Sequence, residues 1–379
     1  MRSLYLDYNS TTPIAPVVQQ AVLPFLAEQY GDPSSSHGIG RAAYEAIEDA
    51  REHVSMLLGC DPEEIVFTSS GTEANNLALK GTAFANGIGS GGHIVVSAIE
   101  HASIIEPARF LEQLGYDLTL TPCTGQGIIT PNSIRESIRD DTLLVSVMLA
   151  NHEIGTIQPV KQIADVCHAA GVPLHCDASQ GLGKMRVNVE ELGVDLLSFS
   201  GHKMYSPKGS GALYLRQRTI VEPLLHGGGQ EAGMRAGVQN VAAIAGLGAA
   251  CVLVNKSLDA SIERLEKLRD RLLALLKADI PEGLLVHSER SRRLPNTLAI
   301  SFPRASGQEI LARIPELCAV ASSATHGETD TISPTLAAMG IAPEIASGTI
   351  RLSLGWYTTE DEIERAASLL LDAWEAVTR

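Results

Sequence analysis

Short runs of β-branched and other apolar residues alternate with stretches of helical period over the first 215 positions of the chain. Strands are predicted at 64–68, 93–98, 143–149, 173–176, 195–199 and 212–215, and helices at 72–85, 103–114, 131–138 and 160–170. Most strand runs are continuously apolar, the pattern of a mostly parallel sheet covered by helices on both faces. The pattern then changes. An Ala- and Gly-rich stretch at 241–254 predicts a buried helix, too short for a bilayer that needs about 20 residues. Leu258, Ile262, Leu265, Leu268, Leu272 and Leu276 follow at helical spacing, as in a long amphipathic helix joining two domains. Two more strands, 297–302 and 349–354, and a last helix opened by a Thr359–Glu362 capping box predict a smaller α+β unit. Ser, Thr, Gly and Asp cluster from 322 to 334, which predicts a loop.

Composition narrows the class. The 379 residues carry 29 Lys+Arg against 44 Asp+Glu, a formal charge of −15, and an acidic surface argues against a nucleic-acid partner. Residues 1–7 lack the apolar core of a signal peptide. The six cysteines (Cys60, Cys123, Cys167, Cys176, Cys251, Cys318) form no Cys-x-x-Cys pair, so reduced thiols in a cytoplasmic protein are expected rather than disulfides or a metal site.

Three segments carry chemistry. Lys203 follows directly from the strand Asp195-Leu-Leu-Ser-Phe-Ser-Gly-His-Lys203. A partly desolvated lysine there has a lowered pKa and can form a Schiff base with a carbonyl; a surface lysine in a turn is the alternative. Asp177 ends another strand, at the edge where open α/β sheets bind ligands, although a helix cap fits it equally. Ser69-Ser70-Gly71-Thr72-Glu73 joins a strand to a helix and offers amides and hydroxyls to a phosphate, or is an ordinary capping box. It matches neither a P-loop nor a Gly-x-Gly-x-x-Gly fingerprint, and Gly227-Gly228-Gly229 matches neither as well. Taken together, an imine-forming lysine, a phosphate cradle and a carboxylate for a ring nitrogen are the set that pyridoxal phosphate requires.

With these segments in place the chain resembles the NifS/IscS cysteine desulfurases and selenocysteine lyases, of the class V, fold-type I group of pyridoxal-phosphate enzymes. The likeness runs through Tyr5-Leu-Asp-Tyr-Asn-Ser-Thr-Thr-Pro13, Gly31-Asp-Pro-Ser-Ser-Ser-His37, Phe67-Thr-Ser-Ser-Gly-Thr-Glu73, Glu100-His101, Asn151-His-Glu-Ile-Gly-Thr156, Ser200-Gly-His-Lys203 and Gly227-Gly-Gly-Gln230. The resemblance implies a large cofactor-binding domain over 15–255, a small domain from 1–14 and 256–379, and a homodimer with its sites near the subunit interface. By the same resemblance Lys203 is the Schiff-base lysine and proton shuttle, Asp177 pairs with the ring nitrogen, His101 stacks on the ring and Gln180 meets its hydroxyl. Gly71, Thr72, Ser200 and His202 hold the phosphate, while Asn151 and Arg351 take the substrate carboxylate.

The departures bear on the activity. The family's loop before Ser333-Pro334 carries a nucleophilic cysteine; here Thr325 stands in its place, and a threonine hydroxyl holds no transferable persulfide. Cys318, seven positions earlier, is the alternative nucleophile, although it reads as a buried strand cysteine. Val238, His152, Ala232 and Met234 also depart from the family, as expected of an altered substrate pocket. C–S β-elimination of an S-substituted cysteine, giving thiol, pyruvate and ammonia, is the expected reaction. Decarboxylation with oxidative deamination, a desulfurase whose cysteine was exchanged for threonine, and a non-catalytic scaffold are the alternatives.

Overall fold

The computed structural model describes residues 3–85, 87–324 and 331–379. Seven strands form the central sheet: β1 (Ile65–Thr68), β2 (His93–Ser97), β3 (Asp117–Thr121), β4 (Thr142–Ser146), β5 (Leu174–Asp177), β6 (Leu196–Ser200) and β7 (Gly211–Leu215). They lie in the order β1-β7-β6-β5-β4-β2-β3, with β7 antiparallel to both neighbours and every other pair parallel. Edge strand β3 is absent from the sequence pattern because its polar, largely exposed residues make no apolar run.

Among the described residues, eight helices of seven residues or more surround this sheet and its smaller companion: α1 (Pro16–Ala27), α2 (Gly38–Leu58), α3 (Gly71–Phe84), α4 (Ala102–Gln113), α5 (Pro131–Ser137), α6 (Val160–Ala169), α7 (Val241–Asp279) and α8 (Glu360–Thr378). Alternation along the strands divides the core. Phe67, Val95, Val145, Leu197 and Phe199 pack with side chains of α2, α6 and α7. Val66, Ile94, Val96, Leu144 and Leu213 pack with α3 and α4. Each fully buried side chain of this size contributes about 2 kcal/mol.

The two helices expected at 241–254 and 258–276 are one continuous 39-residue helix, since nothing between them breaks helical geometry. Its Ala/Gly half lets α1 and α2 approach: a Cβ at Gly248 would fall 2.6 Å from Ala50 Cα, and one at Gly246 2.7 Å from Val22 Cγ2. By length and composition α7 could span a bilayer, yet its apolar side chains sit in two internal cores. Its second half, through Leu265, Leu268, Leu272 and Leu276, packs with Leu4, Leu6, Leu298, Ile350, Leu352 and Leu370. The expected boundary at 255/256 therefore falls inside α7. Around this second core β8 (Leu285–Val286), β9 (Thr297–Ser301), β10 (Val320–Ala321) and β11 (Thr349–Ser353) form an antiparallel sheet ordered β10-β11-β9-β8. Leu4–Tyr5 joins this region by pairing with Leu317–Cys318.

Because β1 runs with β6 across the antiparallel β7, the carboxyl ends of β1, β2, β4, β5 and β6 share one edge. That edge carries the chemistry.

Candidate active site

A cavity of about 210 Å³ opens at this edge, lined by Gly71, Thr72, His101, Asp177, Gln180, Ser200, His202 and Lys203, together with Ser10, Asn75, Ser103 and His152. The structure thus brings together every residue expected to hold the cofactor. Lys203 closes a short 3₁₀ turn (Gly201–Lys203) immediately after β6. The turn is clamped from the N-terminal segment: Thr12 donates its N–H and its hydroxyl to the His202 carbonyl at 3.0 and 2.9 Å. Tyr205, two residues on, is held at φ 68°. A non-glycine residue there costs on the order of 1–2 kcal/mol. Its ring stacks on Trp356 at 3.8 Å between centroids, and its hydroxyl accepts from the Trp356 N–H at 2.7 Å. Burial lowers the Lys203 pKa and Arg351 adds to that, against the pull of Asp177 and Asp7, so its neutral, nucleophilic form is favoured.

The turn from β1 into α3 forms the cradle. Ser70 caps the helix, accepting from the Glu73 N–H at 3.2 Å, and the amides of Gly71 and Thr72 have no acceptor within the helix. Glu73 accepts from the Ser69 N–H at 2.9 Å and from Arg235 Nε at 2.9 Å, which fixes the turn. Space explains the glycines. A Cβ on Gly71 would sit 3.2 Å from both Ser179 Oγ and Ser200 Cβ, and one on Gly211 would sit 2.5 Å from the Ser70 carbonyl carbon. Amides at a helix start and hydroxyls from Thr72 and Ser200 suit a phosphate ester. His202 Nδ1 lies 3.0 Å from Thr11 Oγ1, and burial with three nearby lysines, Lys203 first, pushes its pKa to about 4.

Asp177 ends β5 and is buried; Oδ1 accepts from the Ser179 N–H at 2.9 Å and Oδ2 from Asn75 Nδ2 at 2.9 Å. It caps a tight turn rather than a helix. Gln180 donates from Nε2 to the Asn9 carbonyl at 2.9 Å and accepts on Oε1 from Lys184 Nζ at 2.5 Å, leaving one N–H for a ligand. His101 lines the same cavity, with its pKa lowered by desolvation and by Lys203. The donor set matches pyridoxal phosphate: a lysine for the aldehyde, a carboxylate for the ring nitrogen, an amide for the ring hydroxyl and the α3 cradle for the phosphate.

The residues expected at the substrate carboxylate are placed less simply. Arg351, on β11, donates to the His152 carbonyl at 3.1 Å, to Asp7 Oδ1 at 2.6 Å and to Ser10 Oγ at 2.7 Å. Its Nε is buried with no partner among the described residues. Asn151 is not brought to the cavity. It is fully buried, accepting from the Glu153 and Ile154 amides at 2.8 and 3.0 Å and donating to the Ile99 carbonyl at 3.0 Å. It braces the loops after β2 and β4. Thr325 lies outside the described residues. Of the four other departures only His152 lines the cavity; Ala232 and Met234 line a separate hollow over Arg51 and Glu231, and Val238 is exposed. Cys318 is a strand residue, as expected, but only partly buried.

Sequence reasoning passed over Asn75, Ser103 and Ser10. Asn75 carried a signal: it shares the buried face of α3 with Gly71, Ala74 and Ala78, where a polar residue needs a purpose.

Fold and site together define a fold-type I pyridoxal-phosphate enzyme, a mostly parallel sheet with a smaller second domain. The aminotransferase class-V model matches residues 4–366, and the chain belongs to that family. It is 43% identical over 371 residues to the cysteine desulfurase IscS of Dictyoglomus turgidum, covering 97% of this chain and 94% of that one. Among solved structures, a NifS-like protein matches with a TM-score of 0.89 at 35% identity, covering 99% of both chains. SspA in complex with cysteine matches with a TM-score of 0.82 at 34% identity, covering 94% of this chain and 99% of that one.

Proposed function

We propose that this enzyme cleaves the Cβ–S bond of an S-substituted cysteine by β-elimination, with no persulfide formed on the protein. The observation that carries the reading is the placement of sulfur. Among the described residues no cysteine lines the Lys203 cavity. Burial raises the thiol pKa of five of the six cysteines, that of Cys60 and Cys167 to about 12. By the resemblance, position 325 corresponds to the family's nucleophilic cysteine, and here it is threonine. Relatives named for cysteine desulfuration and a neighbour solved with cysteine support a cysteine-like substrate.

When bound, pyridoxal phosphate supplies an electron-withdrawing ring that stabilises negative charge at the substrate Cα. Asp177 would hold the ring nitrogen, the Gly71–Thr72 amides with Ser200 and His202 the phosphate, and Gln180 the ring hydroxyl. Arg351 would fix the substrate carboxylate, its planar fork suiting a bidentate contact. Neutral Lys203 takes the Cα proton on Nζ. The electron pair left behind becomes the Cα–Cβ double bond as the Cβ–S bond breaks, and sulfur leaves with its own pair as a thiolate that then takes up a proton. Water hydrolyses the released aminoacrylate to pyruvate and ammonia. A thiolate leaves without a protein nucleophile, so the missing cysteine does not block this route.

A homodimer in a reducing, cytoplasmic setting belongs to the same reading. All six cysteines are free, and Tyr30, Leu225 and Val238 are exposed apolar side chains that a second copy could cover. The deciding experiment incubates the loaded enzyme with cysteine, cystine and a series of S-alkyl cysteines. Equal amounts of thiol and pyruvate are expected from at least one of the substituted substrates. Alanine as the only product, or no pyruvate from any of them, overturns the reading.

A further inference from the structure

Behind the cavity runs a buried chain of polar side chains. His175, on β5, has Nδ1 2.9 Å from Ser146 Oγ and Nε2 3.1 Å from Ser198 Oγ. Ser198 Oγ reaches Asn75 Oδ1. From Asn75, Nδ2 donates to Asp177 Oδ2 at 2.9 Å and to Ser103 Oγ at 2.8 Å. Ser103 Oγ is 2.8 Å from His101 Nδ1, which also accepts the Ser103 N–H at 3.1 Å. Ser146, His175 and Ser198 have no exposed surface, and Asn75 is 1% exposed.

Donor and acceptor counting gives this chain one direction. Asp177 uses both oxygens as acceptors, so the Asn75 atom facing it is the amide nitrogen, and Oδ1 faces Ser198. Ser198 must then donate its hydroxyl to Oδ1, which obliges His175 Nε2 to carry the proton that Ser198 Oγ accepts. His175 Nδ1 is left to accept from the Ser146 hydroxyl. On the other arm Ser103 Oγ accepts from Asn75 and has its own hydrogen left for His101 Nδ1. Since Nδ1 accepts, a neutral His101 carries its proton on Nε2.

We propose that Asn75 is the positioning residue of this site: held from behind by Ser198 and His175, it orients the Asp177 carboxylate and, through the Ser103 hydroxyl, reinforces the Nε2–H tautomer of His101 that the Ser103 N–H also requires. One amide thereby couples the two groups assigned to the cofactor. Burial keeps His175 neutral, with a pKa near 4, so the chain keeps its direction across the physiological range. The proposal rests on the assignment of Asp177 and His101 to the cofactor, and not on the identity of the substrate.

Histidine-selective ¹⁵N NMR of the full chain loaded with pyridoxal phosphate tests it, with resonances assigned through H101Q and H175Q. His101 and His175 are each expected as a single neutral Nε2–H tautomer. An Nδ1–H tautomer at either, or a doubly protonated His175, overturns the proposal. In Asn75→Leu, Ser198 loses its fixed acceptor and the His175 signals are expected to shift toward a mixture of tautomers, while the Ser103 N–H still holds His101 Nδ1 as an acceptor. Should that variant not fold, Ser198→Ala removes the partner of His175 Nε2 and is expected to produce the same mixing at His175. A His175 that stays wholly Nε2–H in every folded variant also overturns it. Absence of pyruvate with the expected tautomers in place would count against the proposed reaction and leave this inference standing.

Discussion

The two sides of the Lys203 cavity are built by opposite rules. On the Asp177 side each polar atom from Ser146 through Asn75 to His101 Nδ1 has a partner, and the donors run one way. On the Arg351 side the Arg351 Nε and the His152 Nδ1 are buried without a partner among the described residues. Among the described residues Arg351 places three of its five N–H donors, on the His152 carbonyl, Asp7 and Ser10. A buried unpaired donor costs about 1–3 kcal/mol. Full satisfaction suits a permanent resident, whereas stored hydrogen-bonding capacity suits a charged ligand that arrives and leaves.

Lys203 serves both sides, and its loss should have the largest effect. Lys203→Ala is expected to abolish borohydride labelling at position 203 and to slow pyruvate formation about 10⁴-fold, the upper range for removal of a general base. Labelling that persists at another lysine, with activity retained, would move the chemistry to Lys184, whose Nζ reaches the cavity residue Gln180.

Arg351 separates the two sides. Arg351→Gln removes charge-assisted hydrogen bonds worth about 1.5–3 kcal/mol each, so KM should rise about 100-fold while retention of pyridoxal phosphate on dialysis is unchanged. Loss of the cofactor from this variant would erase the distinction between the sides.

Glu100 is the exception on the well-satisfied side. Its Oε1 accepts from the Met148 N–H at 2.6 Å and from Ser97 Oγ at 2.5 Å, while Oε2 is buried and unpaired. Burial raises its pKa from 4.5 to about 8, so the carboxyl is protonated at neutral pH. The folded state then binds this proton more tightly than the unfolded chain. Its contribution is complete below about pH 4.5 and is lost as pH rises through about 8. Glu100→Gln keeps the shape without the titration. Denaturant unfolding at pH 5, 7 and 9 should show the wild type losing a few kcal/mol relative to the variant, at about 1.4 kcal/mol per pH unit crossed. Parallel curves would place Glu100 among the satisfied groups.

Much of this was legible in the sequence, for identifiable reasons. The strands ending in Asp177 and Ser200 are largely apolar runs, and Gly71 at the β1–α3 turn, with Gly211 packed against that turn, marks a close approach of backbone to backbone. Less legible were elements with weak contrast. The buried stripe of α2 mixes Gly40, Ala43, Ala50 and Ser55 with Ile47, Val54 and Leu58, and β3 alternates polar groups at an edge. Asn151 could be found by its motif but not understood from it, because motif membership does not reveal that its amide is consumed in bracing a loop. The relay through His175, Ser198 and Asn75 joins residues 123 and 23 positions apart, a geometry set by strand order rather than by any local spacing.

His152 offers the finest test of the comparison. Its ring meets His101 edge-on, 5.4 Å between centroids, so it touches the satisfied side, yet its carbonyl holds Arg351 and its Nδ1 is unpaired. Burial and the nearby His101, Lys203 and Arg351 keep the imidazole neutral, which makes it a wall of the cavity with one free polar atom rather than a charge. Asparagine is shorter, so His152→Asn should widen the substrate side alone. Space equal to one or two methylenes is worth about 1–3 kcal/mol in such a pocket, and kcat/KM for a bulky S-substituted cysteine should therefore rise about 10-fold relative to a small one. Cofactor retention and the His101 tautomer should not change. A ratio that stays fixed while the cofactor loosens would place His152 with Asp177, and the line between the two sides would have to be redrawn through the His101–His152 contact.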